Sequence, residues 1–188
     1  MKRKRQKNKR IVLGVSACLL GEKTRYDGDH KRHDIVVNQL AKRYELLPVC
    51  PEVIAGLGVP RPPVQLVDTG GHIKALGVDD TSLDVTRLLA CERMGLNVAL
   101  ARVSGFVLKS RSPSCGYGST PIHSEMREPV GIGDGLFVRF LIQRQPLLPM
   151  IEEWQLNDVK RYEAFIHRVE AYRFSVECPL KGTDSGDL

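Results

Sequence analysis

The sequence predicts an α/β fold: a single domain with a mainly parallel sheet flanked by helices, and a site at the carboxyl ends of the strands. Three observations predict it. Short apolar runs, "IVLGVSA" at 11–17, "ELLPVC" at 45–50 and "GFVLKS" at 105–110, have the length and composition of strands. Segments with apolar residues at helical spacing alternate with them, the pattern of parallel strands joined by crossover helices. At 188 residues the chain is about the size of one domain and can bury a core.

The elements follow in order. "MKRKRQKNKR" at 1–10 is a block of like charge and reads as a disordered basic tail. The first strand is followed by the turn-rich "GEKTRYDGDHKRHD", in which Arg25 and Asp27 close a loop, and then by "IVVNQLAKRY" at helical spacing. After the second strand, "PEVIAGLGVPRPPVQLV" is broken by Gly and Pro and reads as a structured loop. "DTGGHIKAL" reads as a small hairpin turning at Gly70-Gly71. Thr81 and Asp84 resemble a capping box, and Val85, Leu88, Leu89, Gly95 and Ala99 extend a helix from about 82 to 102. The third strand leads into a loop, "SPSCGYGSTPI". Gly133-Asp134-Gly135 opens the amphipathic helix "GLFVRFLIQR", and a stripe of Val159, Tyr162, Ile166 and Val169 predicts a final helix.

Hydrophobic residues at 42% and charged residues at 27% fit a soluble globular protein. No apolar run reaches the roughly 18 residues of a membrane span, so no membrane partner is expected. The basic start is not followed by the apolar stretch and cleavage site of a signal peptide, so the expected compartment is the cytoplasm. Of the net charge of +6, the first ten residues supply seven positive charges, and the remainder is near neutral. That tail is either a solvated segment or an arm touching RNA phosphates. No aromatic residue is interleaved with its cations, so it offers no stacking platform.

Five cysteines stand at 18, 50, 91, 115 and 178. An odd count without a signal peptide argues against a secreted disulfide framework. Cys91, inside the expected long helix, and Cys178, near the end, read as packing or surface filler. Cys18, Cys50 and Cys115 fall instead at the ends of three strands, flanked by turn formers, at an exposed or half-exposed edge. In a doubly wound sheet that edge is where ligands bind. As residues alone the trio suits structural filler, an iron–sulfur cluster with one iron left open, or a nucleophile at Cys115 activated by Lys109 and Arg111. Zinc is less natural, since the spacings of 31 and 64 intervening residues hold no Cys-x-x-Cys knuckle. Glu52, two residues after Cys50 on the irregular loop, is a candidate general acid or base. Ser110, Ser112 and Ser114 alternate with Lys109 and Arg111, which in extended backbone puts serines on one side and cations on the other. "GIGDG" lacks the Lys-Ser/Thr of a phosphate loop, which weakens a nucleotidase reading.

Three blocks, "GVSACLLGEKTRYDG", "PVCPEVIAGLGVPRPP" and "LKSRSPSCG", resemble the thiouracil desulfurase family in order and spacing, over about residues 10 to 145. The resemblance implies an oxygen-sensitive 4Fe–4S cluster held by Cys18, Cys50 and Cys115, with one iron open to the sulfur of a thiolated pyrimidine. It implies that Glu52 is the catalytic carboxylate and Ser112 the catalytic serine, with Ser114 of the same motif as the alternative or a substrate contact. Arg61, in "GVPRPP", would reach the pyrimidine carbonyl. The implied reaction replaces C=S by C=O without redox change in a 2-thiouracil-like base or nucleoside; a nucleotide or a thiolated position in transfer RNA is equally compatible. By the same resemblance, residues 11–150 form the desulfurase-like domain, and 151–188 form a helical extension like the junction in longer two-domain relatives. A cluster- or metal-holding accessory protein without catalysis is the rival from another class.

Overall fold

The computed structural model describes residues 10–80, 82–89 and 100–177. Its first sheet is ordered β2 (Glu45–Val49), β1 (Val12–Ser16), β5 (Val103–Leu108) and β8 (Met150–Glu152), and every neighbouring pair is parallel. All five residues of β1 and all six of β5 are buried, as central strands covered on both faces must be. The expected α/β architecture with a mainly parallel sheet is therefore the one observed. One detail explains a glycine in the centre. Gly14 pairs across the ladder with Phe106, and a Cβ at position 14 would sit inside the Phe106 ring.

Helices close both faces. On one side α4 (Leu136–Arg144) packs Phe137, Val138 and Leu141 against Val12, Phe106 and Leu108. The Phe106 and Phe137 rings meet edge to face at 5.4 Å, the geometry that ring quadrupoles prefer. On the other side lie α1 (34–43) and α5 (Val159–Glu177), which bring Val36, Leu40, Phe165, Ile166 and Val169 onto Leu13, Val15 and Val107. The middle of α1, Val36–Leu40, is wound as a π-helix. Asp158 opens α5 as a cap, its carboxylate accepting the Arg161 N–H at 3.1 Å. Val159, read from the sequence as the first residue of the buried stripe, is 68% exposed; the packed face runs through Tyr162, Phe165, Ile166 and Val169.

A second sheet, ordered β4 (His72–Gly77), β3 (Val64–Thr69), β6 (Thr120–His123) and β7 (Pro129–Gly133), was not foreseen beyond its hairpin. That β3–β4 hairpin turns at Gly70-Gly71, both with positive φ, and Asp68 accepts the Gly71 N–H at 2.7 Å. "VQLV", expected in a loop, is instead β3, because β4 and β6 pair with it on both edges. A small core of Leu66, Ala75, Val85 and Leu89 joins the main body through Leu136 of α4.

The helix expected over 82–102 begins only at Thr86, as α3 (Thr86–Leu89). Asp84 bridges to Leu76, and its carboxylate accepts the Thr86 N–H at 2.9 Å, so the cap sits later than the sequence suggests. Thr81, residues 90–99 with Cys91, residues 1–9 of the basic tail, and Cys178 lie outside the described residues. Strand β8 spans residues 150 and 151, the expected edge of the main domain, and supplies the sheet's fourth strand.

Candidate active site

The registers align the strand ends. Ser16 stands opposite Val49, Val15 opposite Val107, and Leu108 opposite Glu152, so the carboxyl ends of all four strands share one edge. Over that edge the ends of β1, β2 and β5 open onto a cleft of about 570 Å³. Its wall carries Cys18, Cys50, Cys115, Glu52, Ser112 and Arg61. Ser114 is fully buried behind the wall, and its hydroxyl has no partner.

Each cysteine arrives by a short local structure. Past Ser16 the chain turns through a 3-10 helix, Ala17–Leu20, which holds Cys18 and ends at Gly21 with φ +94°. Cys50 caps α2 (Pro51–Ile54), with Pro51 in the first helical position, where its missing N–H costs nothing. Glu52 therefore belongs to a helical turn, not to the irregular loop expected for it. Cys115 sits in the 109–119 loop, which is bolted to the start of α4. The carbonyls of Pro113 and Ser114 accept the N–H groups of Leu136, Phe137 and Val138, and Gly116 accepts that of Gly135. These are the donors a helix start otherwise leaves unpaired. A Cβ on Gly135 would overlap the Ser114 carbonyl, so the close approach depends on glycine there.

The thiols are not at an exposed edge. Cys18 and Cys115 are buried and Cys50 is half-buried. Burial, with Cys50 nearby, pushes the Cys18 thiol up to about 12. Burial and the Glu52 carboxylate push Cys50 up to about 11. The same two causes hold Cys115 well above its ordinary 9.0. A nucleophile at Cys115 needs the opposite shift, so the activated-thiol reading loses its physical basis.

The polar groups form two clusters. The Cys50 Sγ lies 3.4 Å from Glu52 Oε2 and 3.6 Å from the Thr24 carbonyl, two acceptors for one proton. Arg61 Nη2 is 3.9 Å from Glu52 Oε2, and its Nη1 donates to the carbonyls of Thr24 at 3.0 Å and Gly58 at 2.9 Å. Ser112 Oγ accepts the N–H groups of Ser114 at 3.3 Å and Cys115 at 3.1 Å, which leaves its own proton to donate.

The expected separation of serines from cations along 109–114 does not occur. Glu153 accepts from Lys109 Nζ, from the Ser110 N–H at 2.7 Å and from the Ser110 hydroxyl at 2.9 Å, drawing both side chains to one acid. Arg111 breaks the extended backbone with φ +60°. Sequence reasoning missed Glu153, its neighbour Glu152, and Ser16. Ser16 lines the cleft, accepts the Lys109 N–H at 3.0 Å and opposes the upward shift of the Cys115 thiol. The signals were present as "VSAC", a serine two residues before a strand-end cysteine, and "IEEW", paired acids closing an apolar run.

Three soft thiols with no histidine among them suit iron and sulfide better than a hard cation. Among the described residues no three Cys, His, Asp or Glu side chains stand close enough to grip a single metal ion. A cubane of four irons is wider than one ion and does not need thiols that close.

Known proteins bear on this geometry. The family described as 2-thiouracil desulfurase matches residues 13–153. The chain is 30% identical over 155 residues to the uncharacterized protein YbbK of Bacillus subtilis (strain 168), covering 79% of this chain and 99% of that protein. It also resembles the solved structure of the 4Fe–4S-dependent thiouracil desulfidase TudS, at 33% identity and a TM-score of 0.59, over 84% of this chain and 99% of that one.

Proposed function

The chain belongs to the 2-thiouracil desulfurase family, and from that premise we propose that it is an iron–sulfur enzyme that removes sulfur from a thiolated pyrimidine. The observation that carries the proposal is the convergence of Cys18, Cys50 and Cys115, far apart in sequence, on one cleft wall with Glu52 and Ser112. The cleft volume lies within the usual range for small-molecule sites. Cys18, Cys50 and Cys115 would hold a 4Fe–4S cluster with one iron left without a protein ligand. When bound, such a cluster supplies a thiophilic Lewis acid that polarises C=S.

The chain's own residues supply the rest. In the net reaction water adds oxygen at the ring carbon, sulfur leaves as sulfide, and no electron changes hands. Glu52 accepts the proton that water gives up as it attacks, and Arg61 fixes the direction of its carboxylate. Ser112, its oxygen already held by two backbone donors, offers its proton to the pyrimidine ring. Arg61 has Nη1 committed to two carbonyls, so any substrate contact falls to the Nη2 side, next to Glu52. Free thiols at all three positions accord with a reducing compartment such as the cytoplasm.

Anaerobic reconstitution with iron and sulfide, followed by measurement of sulfide released from 2-thiouracil, tests the proposal. Loaded protein should turn over, and replacement of any of the three cysteines by Ala should abolish both visible absorbance and turnover. A protein that holds the cluster yet releases no sulfide from thiolated pyrimidines would be the accessory protein instead.

A further inference from the structure

Ser110 and Arg111 line not one cleft but two. Beyond them lies a second cavity of about 640 Å³, whose wall includes Tyr117, Glu152, Trp154 and Arg161. Its construction centres on Glu152, which is 2% exposed. That carboxylate accepts from the Tyr117 N–H at 2.8 Å, from the Ser119 hydroxyl and from Trp154 Nε1 at 2.7 Å. A buried carboxylate is costly unless its acceptors are filled. Here the filling holds an indole by its edge while the residue stays 51% exposed.

The other groups agree in chemistry. The Arg161 guanidinium lies 5.3 Å over the Trp154 ring. Arg111 stands at the rim common to both clefts, held at φ +60°, a conformation that costs a non-glycine residue free energy and concentrates at functional sites. An exposed aromatic face with cations beside it is how single-stranded nucleic acids are bound, with bases stacking on the ring and guanidiniums meeting the phosphates.

We propose that this second cleft is a stacking subsite for the nucleobase adjacent to the thiolated one, with Trp154 as platform and Arg111 and Arg161 meeting the backbone, so that the enzyme takes short single-stranded RNA. The inference rests on reading the first cleft as the thiolated-pyrimidine pocket. The clefts share Ser110 and Arg111 as a common wall, and the proposal sets one base at the cysteines and its neighbour against Trp154.

Trp154 is the chain's only tryptophan, so its emission reports this cleft directly. The test titrates hexauridylate, which carries no sulfur, into the full-length protein and follows that emission. Expected is saturable quenching whose midpoint moves several-fold to higher concentration between 50 and 200 mM salt. Arg161→Ala, at an exposed side chain, should weaken binding roughly five- to tenfold. Trp154→Leu, followed by anisotropy of labelled hexauridylate, should weaken it about tenfold or more. Unchanged emission at millimolar hexauridylate overturns the proposal, and so does equal quenching by uridine monophosphate or by polyglutamate. The two readings fail separately. Desulfuration of 2-thiouracil without quenching rejects the subsite alone, whereas quenching without sulfide release supports the subsite and rejects the activity.

Discussion

Burial lifts the thiol of Cys18 to about 12 and that of Cys50 to about 11 from an ordinary 9.0. A thiol raised in the folded state keeps its proton there while the unfolded chain ionises from about pH 9. The stabilisation is whole below pH 9 and is lost as pH rises towards 12. In metal-free protein the unfolding midpoint should therefore fall between pH 9 and 12, more steeply than in Cys18→Ala. The difference between the two curves, on the order of 4 kcal/mol at most, measures the effect by denaturant titration. Glu52→Gln separates ligand from catalyst. Glu52 is the charge that raises both Cys50 and Cys115, so its removal should leave the visible absorbance of reconstituted protein in place while kcat falls about 10²- to 10⁴-fold. At this scale the sequence was legible for residue type. Cys18, Cys50 and Cys115 at the ends of apolar runs, with the acid at Glu52 beside them, stand out in the sequence itself. Ser16, Glu152 and Glu153 carry local signals, but their roles were not legible, because the partners Lys109, Tyr117 and Ser119 are brought to them only by the fold.

The element that answers most for the site is the 109–119 loop, which borrows its rigidity from the N-terminus of α4. Gly135→Ala would drive a methyl into the Ser114 carbonyl, at a cost of about 1–3 kcal/mol for overpacking. The expected result is a modest fall in melting temperature with a disproportionate loss of cluster uptake, read by anaerobic absorbance. Glu153→Gln attacks the same loop from the other side. It leaves the Lys109 ammonium, only 20% exposed, without its carboxylate, and should cost about 1–3 kcal/mol by thermal unfolding. Strands β1, β2 and β5, the Gly70-Gly71 hairpin and α4 were all readable from local pattern. β8 was not, since three residues carry no periodicity, and β7 was not, since an exposed edge strand imposes no alternation. The late start of α3 has a similar cause, for Asp84 is drawn into a bridge with Leu76 that no local rule anticipates.

The whole molecule is two sheets of unequal burial joined through α4. The first is sandwiched between α4 on one face and α1 and α5 on the other. The second has a small core and ends at β7, which is exposed along most of its length. Native-state hydrogen exchange should show the slowest amides in β1 and β5, with openings near the global unfolding free energy, and far faster exchange in β7. Equal protection of β7 and β1 would contradict the asymmetry. Among the described residues no helix is long and apolar enough to cross a membrane, in keeping with the composition.

By itself the sequence determined the α/β class, three of the four parallel strands and the kinds of side chain available for chemistry, because periodicity, turn formers and residue type are local properties. Only the tertiary structure decided which of those side chains meet. Parallel register brings three cysteines 31 and 64 intervening residues apart to one cleft, and buried acids such as Glu152 and Glu153 find donors at Tyr117, Lys109 and Ser110, far from them in the chain. Contacts of that kind depend on distances through space, which no spacing along the chain encodes.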